Sequence, residues 1–204
     1  EARPDDLKVK FELALNRFFL AMTLEDMGQD KDAAVEYMAA SVLMQEQLDA
    51  DPDSPRNRRN LAACLGNLAN VQITLGQRSE GIESYRKILG IQKKLVEENP
   101  DDSTSELHMA MTMLNLGSLE YDEERYEAAL KTLDETQVIG DRLLAAHADD
   151  PNVQVFAGET LHVQGRCHRE LKRPKVALEY LEKAAEIFQG FVDRQPDDVR
   201  SQEK

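Results

Sequence analysis

Cysteine is scarce, positive charge is in deficit, and long apolar runs are missing. Only two cysteines, Cys64 and Cys167, occur in 204 residues. That excludes the dense disulfide framework of a small secreted domain and is compatible with a reducing compartment. Lysine and arginine number 25 against 39 aspartates and glutamates, a formal net charge of −14. Such a surface repels phosphate backbones and anionic lipid headgroups, so neither a nucleic acid nor a membrane is an expected partner. No apolar run approaches the ~20 residues that a membrane-crossing helix needs. What is present is ordinary for a packed chain, with 41% hydrophobic and 31% charged residues, and disorder is not expected.

The organising feature is a repeat of 48 residues. Ala21, Ala69, Gly117 and Gly165 stand at that spacing, as do Ala33, Gly81, Ala129 and Ala177. Tyr37, Tyr85, Leu133 and Leu181 form another column, and Leu43, Ile91, Ile139 and Ile187 a fourth. Prolines recur at Pro4, Pro52, Pro100 and Pro196, with Ala148 at the missing step. A fixed period of this size implies a stacked array, which offers an extended binding surface rather than a catalytic pocket. The four units are expected at about 5–52, 53–100, 101–148 and 149–196, a single array over 1–204. The opening Glu1-Ala2-Arg3-Pro4 has no initiator Met and is no signal peptide, and Pro4 and Pro196 lie four periods apart. A segment of a longer protein is therefore expected.

Within a period the apolar residues follow helical spacing. Leu61, Leu65, Leu68, Val71 and Leu75 make one amphipathic run, and Ile82, Tyr85, Leu89 and Val96 a second. Leu75-Gly76-Gln77 reads as the turn between them. Ser54-Pro55 and Asp150-Pro151 read as helix starts, a capping residue followed by proline in the first turn. Each period is thus two antiparallel helices, A and B, of about 20 residues each. The small residues of the first two columns let A and B approach closely.

These residues resemble the tetratricopeptide repeat, which pairs Leu-Gly on helix A with Ala-x3-aromatic on helix B over about 34 residues. Leu116-Gly117 and Leu68-Ala69 match the first part, and Ala33-x3-Tyr37 and Gly81-x3-Tyr85 the second. Each helix is about seven residues longer than in the family, close to two turns, so its buried face does not rotate. The family's initial tryptophan is absent, and its column reads Arg17, Leu65, Met113 and Leu161. Leu65-Gly66-Asn67-Leu68-Ala69 followed by Leu75-Gly76-Gln77-Arg78 is similar to the long repeats of kinesin light chain. It is also similar to arrays appended to bacterial signalling proteins, including serine/threonine kinases. The resemblance implies an all-α, right-handed α-α solenoid of four 48-residue helix pairs that binds proteins or peptides without chemistry of its own. The alternative is a regulatory or docking segment of a larger signalling enzyme such as a bacterial kinase.

In the family a peptide lies against the A-helix residues that do not face helix B. Mapped by column, that wall takes Phe18 and Met22 from repeat 1, and Asn67 and Asn70 from repeat 2. Repeat 3 supplies Asn115, Ser118 and Tyr121, and repeat 4 His162, Arg166 and Arg169. An asparagine amide both donates and accepts, and so grips an extended backbone without reading its sequence. The wall passes from apolar to polar to basic, so a peptide with an apolar end and an acidic end is expected. Phe18 and Leu114 stand where the family's carboxylate clamp needs cations, so that clamp is not expected.

No cofactor, metal or catalytic residue is expected. His168-Arg169-Glu170-Leu171 imitates a kinase catalytic loop but has Glu170 for the aspartate. His162, Cys167 and His168 do not share a helical face. Arg56, Arg58 and Arg59 are expected at a solvated helix start. Self-association through exposed end repeats, with Leu178 and Ile187 near one end, is a further expectation, as is a cytoplasmic location.

Overall fold

The 48-residue period is carried by helices. The computed structural model describes residues 6–194, in which there are eight α-helices and no strand. The A helices α1 (Leu7–Asp26), α3 (Pro55–Thr74), α5 (Ser103–Asp122) and α7 (Pro151–Glu170) have 20 residues each. The B helices α2 (Asp30–Ala50), α4 (Arg78–Glu98), α6 (Tyr126–Ala146) and α8 (Pro174–Arg194) have 21. Pro4 and Pro196 of the proline column lie outside the described residues.

Local chemistry sets the ends of these helices. Asp6, Ser54 and Asp150 cap α1, α3 and α7 by accepting from the backbone N–H of Lys8, Asn57 and Asn152 at 2.9, 3.4 and 2.8 Å. Pro55 and Pro151 occupy the first turns of α3 and α7. Every A–B turn uses one motif. In repeat 2 the N–H of Gly76 donates to the carbonyl of Ile73 at 2.9 Å and that of Gln77 to Gln72 at 2.8 Å. Repeat 3 does the same with Glu124 to Tyr121 at 2.9 Å and Arg125 to Glu120 at 2.9 Å. The turn residue must adopt positive φ, and its values are 70° at Gly28, 77° at Gly76, 60° at Glu124 and 58° at Lys172.

The chain forms two compact units, Glu1–Asp102 and Ser103–Lys204, each with two helix pairs. In the first unit α1 packs on α2, α2 on α3, and α3 on α4. In the second, α5 packs on α6, α6 on α7, α7 on α8, and α5 also meets α7. In both, a B helix covers the following A helix, the consecutive packing of an α-α solenoid.

Size complementarity holds each pair together. Ala21, Ala33, Ala69 and Ala129 are fully buried. A Cβ on Gly117 would stand 2.8 Å from Leu133, and one on Gly165 2.7 Å from Leu181. Repeat 3 has Gly140 where repeats 1, 2 and 4 have Met44, Gln92 and Phe188. The Phe156 ring from α7 takes up that space, with Cε1 3.2 Å from a Cβ built on Gly140. Phe188 in turn lies over Gly158, where a Cβ would meet its ring at 2.6 Å.

One polar column tells how the repeats differ. Lys10 pairs with Glu46 at 2.9 Å in repeat 1, and Glu106 pairs with Arg142 at the same two places in repeat 3, with the charges exchanged. In repeat 2 both positions are cations, Arg58 and Lys94. Arg58 turns instead to Glu98 and donates to the Pro52 carbonyl at 2.6 Å. In repeat 4, Gln154 likewise ties α7 to the preceding loop through the Ala148 carbonyl. The solvated arginine cluster expected at the start of α3 is corrected at Arg58 alone, since Arg56 and Arg59 are exposed. Arg58 is buried, Arg59 pairs with Asp102 at 3.1 Å, and Arg56 lies 5.0 Å from the centroid of the Phe11 ring.

Candidate functional site

In the first unit the open face of α3 carries Arg56, Arg59, Ala63, Asn67 and Asn70, spaced three or four residues apart and half-buried or exposed. The opposite face, with Leu61, Leu65 and Leu68, is buried. On α1, Phe18 is half-buried and Met22 exposed.

Tyr37 of α2 ties these residues together from below. Its ring is fully buried and lies edge-on to Phe18, with centroids 5.7 Å apart. Its hydroxyl donates to Glu25 at 2.8 Å and accepts from the Asn67 amide at 3.3 Å. Burial, then the hydrogen bond to Glu25, pushes the phenol well above its ordinary range, so it stays a neutral donor. Asn70 is held in the same manner, accepting from the Tyr85 hydroxyl at 2.7 Å. Both asparagines are thus oriented by buried phenols, and an oriented amide loses less entropy on meeting a ligand. Beside them Gly66 is open, since a Cβ there would meet nothing within 4 Å. The face of this unit is apolar on α1 and amide-bearing on α3.

In the second unit the same columns carry other chemistry. Asn115 is exposed and Ser118 half-buried on α5, while His162 and Arg169 are exposed on α7. The Arg166 guanidinium lies 4.3 Å from the centroid of the Tyr121 ring and links the two A helices. Tyr121 also packs on Tyr126, with centroids 5.4 Å apart. Arg169 donates to Glu170 at 3.1 Å, a pair on the surface. This face is cationic and aromatic.

The remaining reactive groups are placed for packing. Cys64 and Cys167 are free and fully buried, and burial pushes their thiols up to about 12 and about 11. Neither is a ready thiolate. His168 stacks on Tyr180 with centroids 5.2 Å apart, and burial, followed by Arg173, holds its imidazole below the usual value. Its column pairs A with B in other ways elsewhere, Ser84 donating to Gln72 at 2.9 Å and Thr132 to Glu120 at 2.9 Å. Among the described residues no three of His, Cys, Asp and Glu converge as a metal site would require, and no helix is long and apolar enough to cross a membrane.

Column mapping from the sequence named ten candidate wall residues but not Tyr37, because its role depends on a hydroxyl reaching across two helices. It also missed a cavity of about 760 Å³ between α2 and α4. Gly90, set in mid-helix with no turn to make, and the like charges of Arg58 and Lys94 in columns that pair opposite charges elsewhere were the signals available for it.

Comparison with known proteins agrees with this architecture. The tetratricopeptide repeat matches residues 62–95 and 158–190. Both matches begin seven residues inside an A helix, so part of the extra length lies at the A-helix starts. BtubC (BKLC) from P. vanneervenii is similar in structure, with a TM-score of 0.72 and 19% identity over 94% of this chain and 68% of that one. The apo form of RapI has a TM-score of 0.69 and 19% identity over 87% of this chain and 43% of its own. Aspartyl phosphate phosphatase F from Bacillus subtilis has 0.66 and 15% over 93% and 43%. This chain therefore spans less than half the length of the last two. No curated protein matches the sequence. Two stretches of the chain therefore match the tetratricopeptide repeat, and its helical-repeat fold is shared with these solved structures.

Proposed function

We propose that the chain is a protein-interaction scaffold without chemistry of its own, and that its A-helix faces hold extended peptide segments. The observation that carries this reading is the pair of asparagines, Asn67 and Asn70, each oriented by a tyrosine hydroxyl on a face left open beside Gly66. Amides held in this way suit a peptide backbone, which offers a donor and an acceptor at each residue. Phe18 and Met22 supply apolar contact in the first unit. Arg166, Arg169 and His162 give the second unit's face a preference for carboxylates in an otherwise acidic chain. The preferred partner sequence therefore includes an apolar stretch and an acidic stretch.

Affinity capture from source cells tests this, with residues 1–204 as bait beside an Asn67→Ala, Asn115→Ala, Arg166→Glu variant. A partner enriched by the wild type and reduced at least tenfold by the variant supports the reading. Equal recovery on both baits rejects it.

A further inference from the structure

The cavity of about 760 Å³ lies away from the A-helix faces, between the B helices α2 and α4 with α3 as its floor. Leu61 and Leu65 form the floor, and Val42, Leu48 and Ile91 the walls. Its size and apolar lining are those of a ligand cleft.

Its charge is opposite to that of the chain. Arg58, Lys87 and Lys94 line it, against one carboxylate, Asp49, which accepts from Gln45 at 2.7 Å. Glu98 is taken by Arg58. Lys87 reaches Glu83 at 3.5 Å, but both side chains are more than 60% exposed, where such a pair is weak. Lys94 occupies the column that holds Glu46 paired with Lys10 in repeat 1 and Arg142 paired with Glu106 in repeat 3. In repeat 2 that column faces another cation, Arg58. The cleft thus carries a cationic excess inside a protein of net charge −14.

Gly90 adds an independent sign. It sits in the middle of α4, where glycine costs about 1 kcal/mol relative to alanine. Gly81, Gly117, Gly140, Gly158 and Gly165, also inside helices, have a neighbour at 2.6–3.2 Å, whereas Gly66 on the A-helix face is open as Gly90 is. Gly90 lines the cleft, and a Cβ on it would meet nothing within 4 Å. A mid-helix glycine with no neighbour to accommodate leaves room for something to approach the backbone.

We propose that this cleft is a second binding site, and that it takes an acidic amphipathic helix from a partner protein. Aliphatic side chains on one face of that helix rest on Leu61, Leu65 and Ile91, with the backbone passing over Gly90. Lys87 and Lys94 are seven residues apart, about 10 Å along α4. They meet carboxylates seven residues apart on the partner helix. This site does not depend on the A-helix reading.

Panning a phage library of random 12-residue peptides on the full chain tests the proposal, with depletion on a Lys87→Glu, Lys94→Glu variant. Both lysines are exposed, so the variant keeps the fold, which thermal melting checks. Recovered peptides are expected to be net acidic with spaced aliphatic residues. A fluorescent synthetic copy is expected to lose at least tenfold in affinity against the double variant and against Gly90→Phe, and to be unchanged against Asn67→Ala, Asn115→Ala. The proposal is overturned if no peptide is recovered, if the recovered peptides are neutral or basic, or if the asparagine variant abolishes binding while the lysine variant does not.

Discussion

Glu124 and Lys172 occupy the left-handed region at φ of 60° and 58°, where repeats 1 and 2 place Gly28 and Gly76. The two turn hydrogen bonds force this conformation, which costs a residue with a Cβ roughly 1–2 kcal/mol. Glu124→Gly and Lys172→Gly are each expected to raise the unfolding free energy by about 1 kcal/mol, and Gly76→Ala to lower it by a similar amount, as read by urea titration. Leu75-Gly76 announced its turn in the sequence. Glu124 and Lys172 carry no turn chemistry of their own and are legible only through their column. His168 gives the residue scale a pH dependence. Its folded pKa lies below the ordinary value through burial first and Arg173 second, with Asp134 opposing. Below about pH 6.5 the unfolded chain takes up a proton that the folded chain refuses, down to the depressed value. Stability is therefore complete above that pH and falls as the pH drops through the window. His168→Gln is expected to remove this step in thermal melts.

Helices were the most legible level. The apolar spacing, Ser54-Pro55 and Asp150-Pro151 placed helix starts that the structure keeps. The small columns foretold the close A–B approach, and Gly165 shows its tightness, with a Cβ due 3.2 Å from the Ala177 carbonyl as well as 2.7 Å from Leu181. Gly165→Val is accordingly expected to lower stability by about 1–3 kcal/mol in urea titration. Arg58 was illegible at this level. In sequence it is one of three arginines at a helix start, and its burial comes from Glu98 and the Pro52 carbonyl, which the chain brings from elsewhere. Arg58→Ala removes charge-assisted hydrogen bonds and is expected to cost about 1.5–3 kcal/mol by the same measurement. Arg59→Ala, at an exposed pair, is expected to cost under about 1 kcal/mol.

At the scale of the whole molecule, exposed apolar positions bear on self-association. Leu13 and Leu20 of α1 are 45% and 47% exposed, whereas Leu61 and Leu68, their column mates on α3, are buried in the stack with α2. Leu178 of α8 is 56% exposed, and its column mate Leu130 belongs to a buried core. Head-to-tail pairing of two copies through these positions reproduces the contact of α2 with α3. If copies pair in this way, sedimentation is expected to show Leu20→Lys and Leu178→Lys each monomeric alone and forming a dimer when mixed. A wild type that stays monomeric at high concentration rejects the pairing.

The central claim, that partners lie on the A-helix faces, was legible as a set of columns but not as chemistry. Column arithmetic reached Asn67 and Arg166, whereas the Tyr37 hydroxyl and the Tyr121 ring that orient them needed the fold. Site-specific photo-crosslinking in source cells is the most direct measurement. It compares a photoreactive residue at Asn70 or Ser118 with one at Lys131 or Glu179 on the exposed sides of B helices. The account predicts partner adducts at positions 70 and 118 and none at 131 or 179. Adducts confined to 131 and 179 would contradict it.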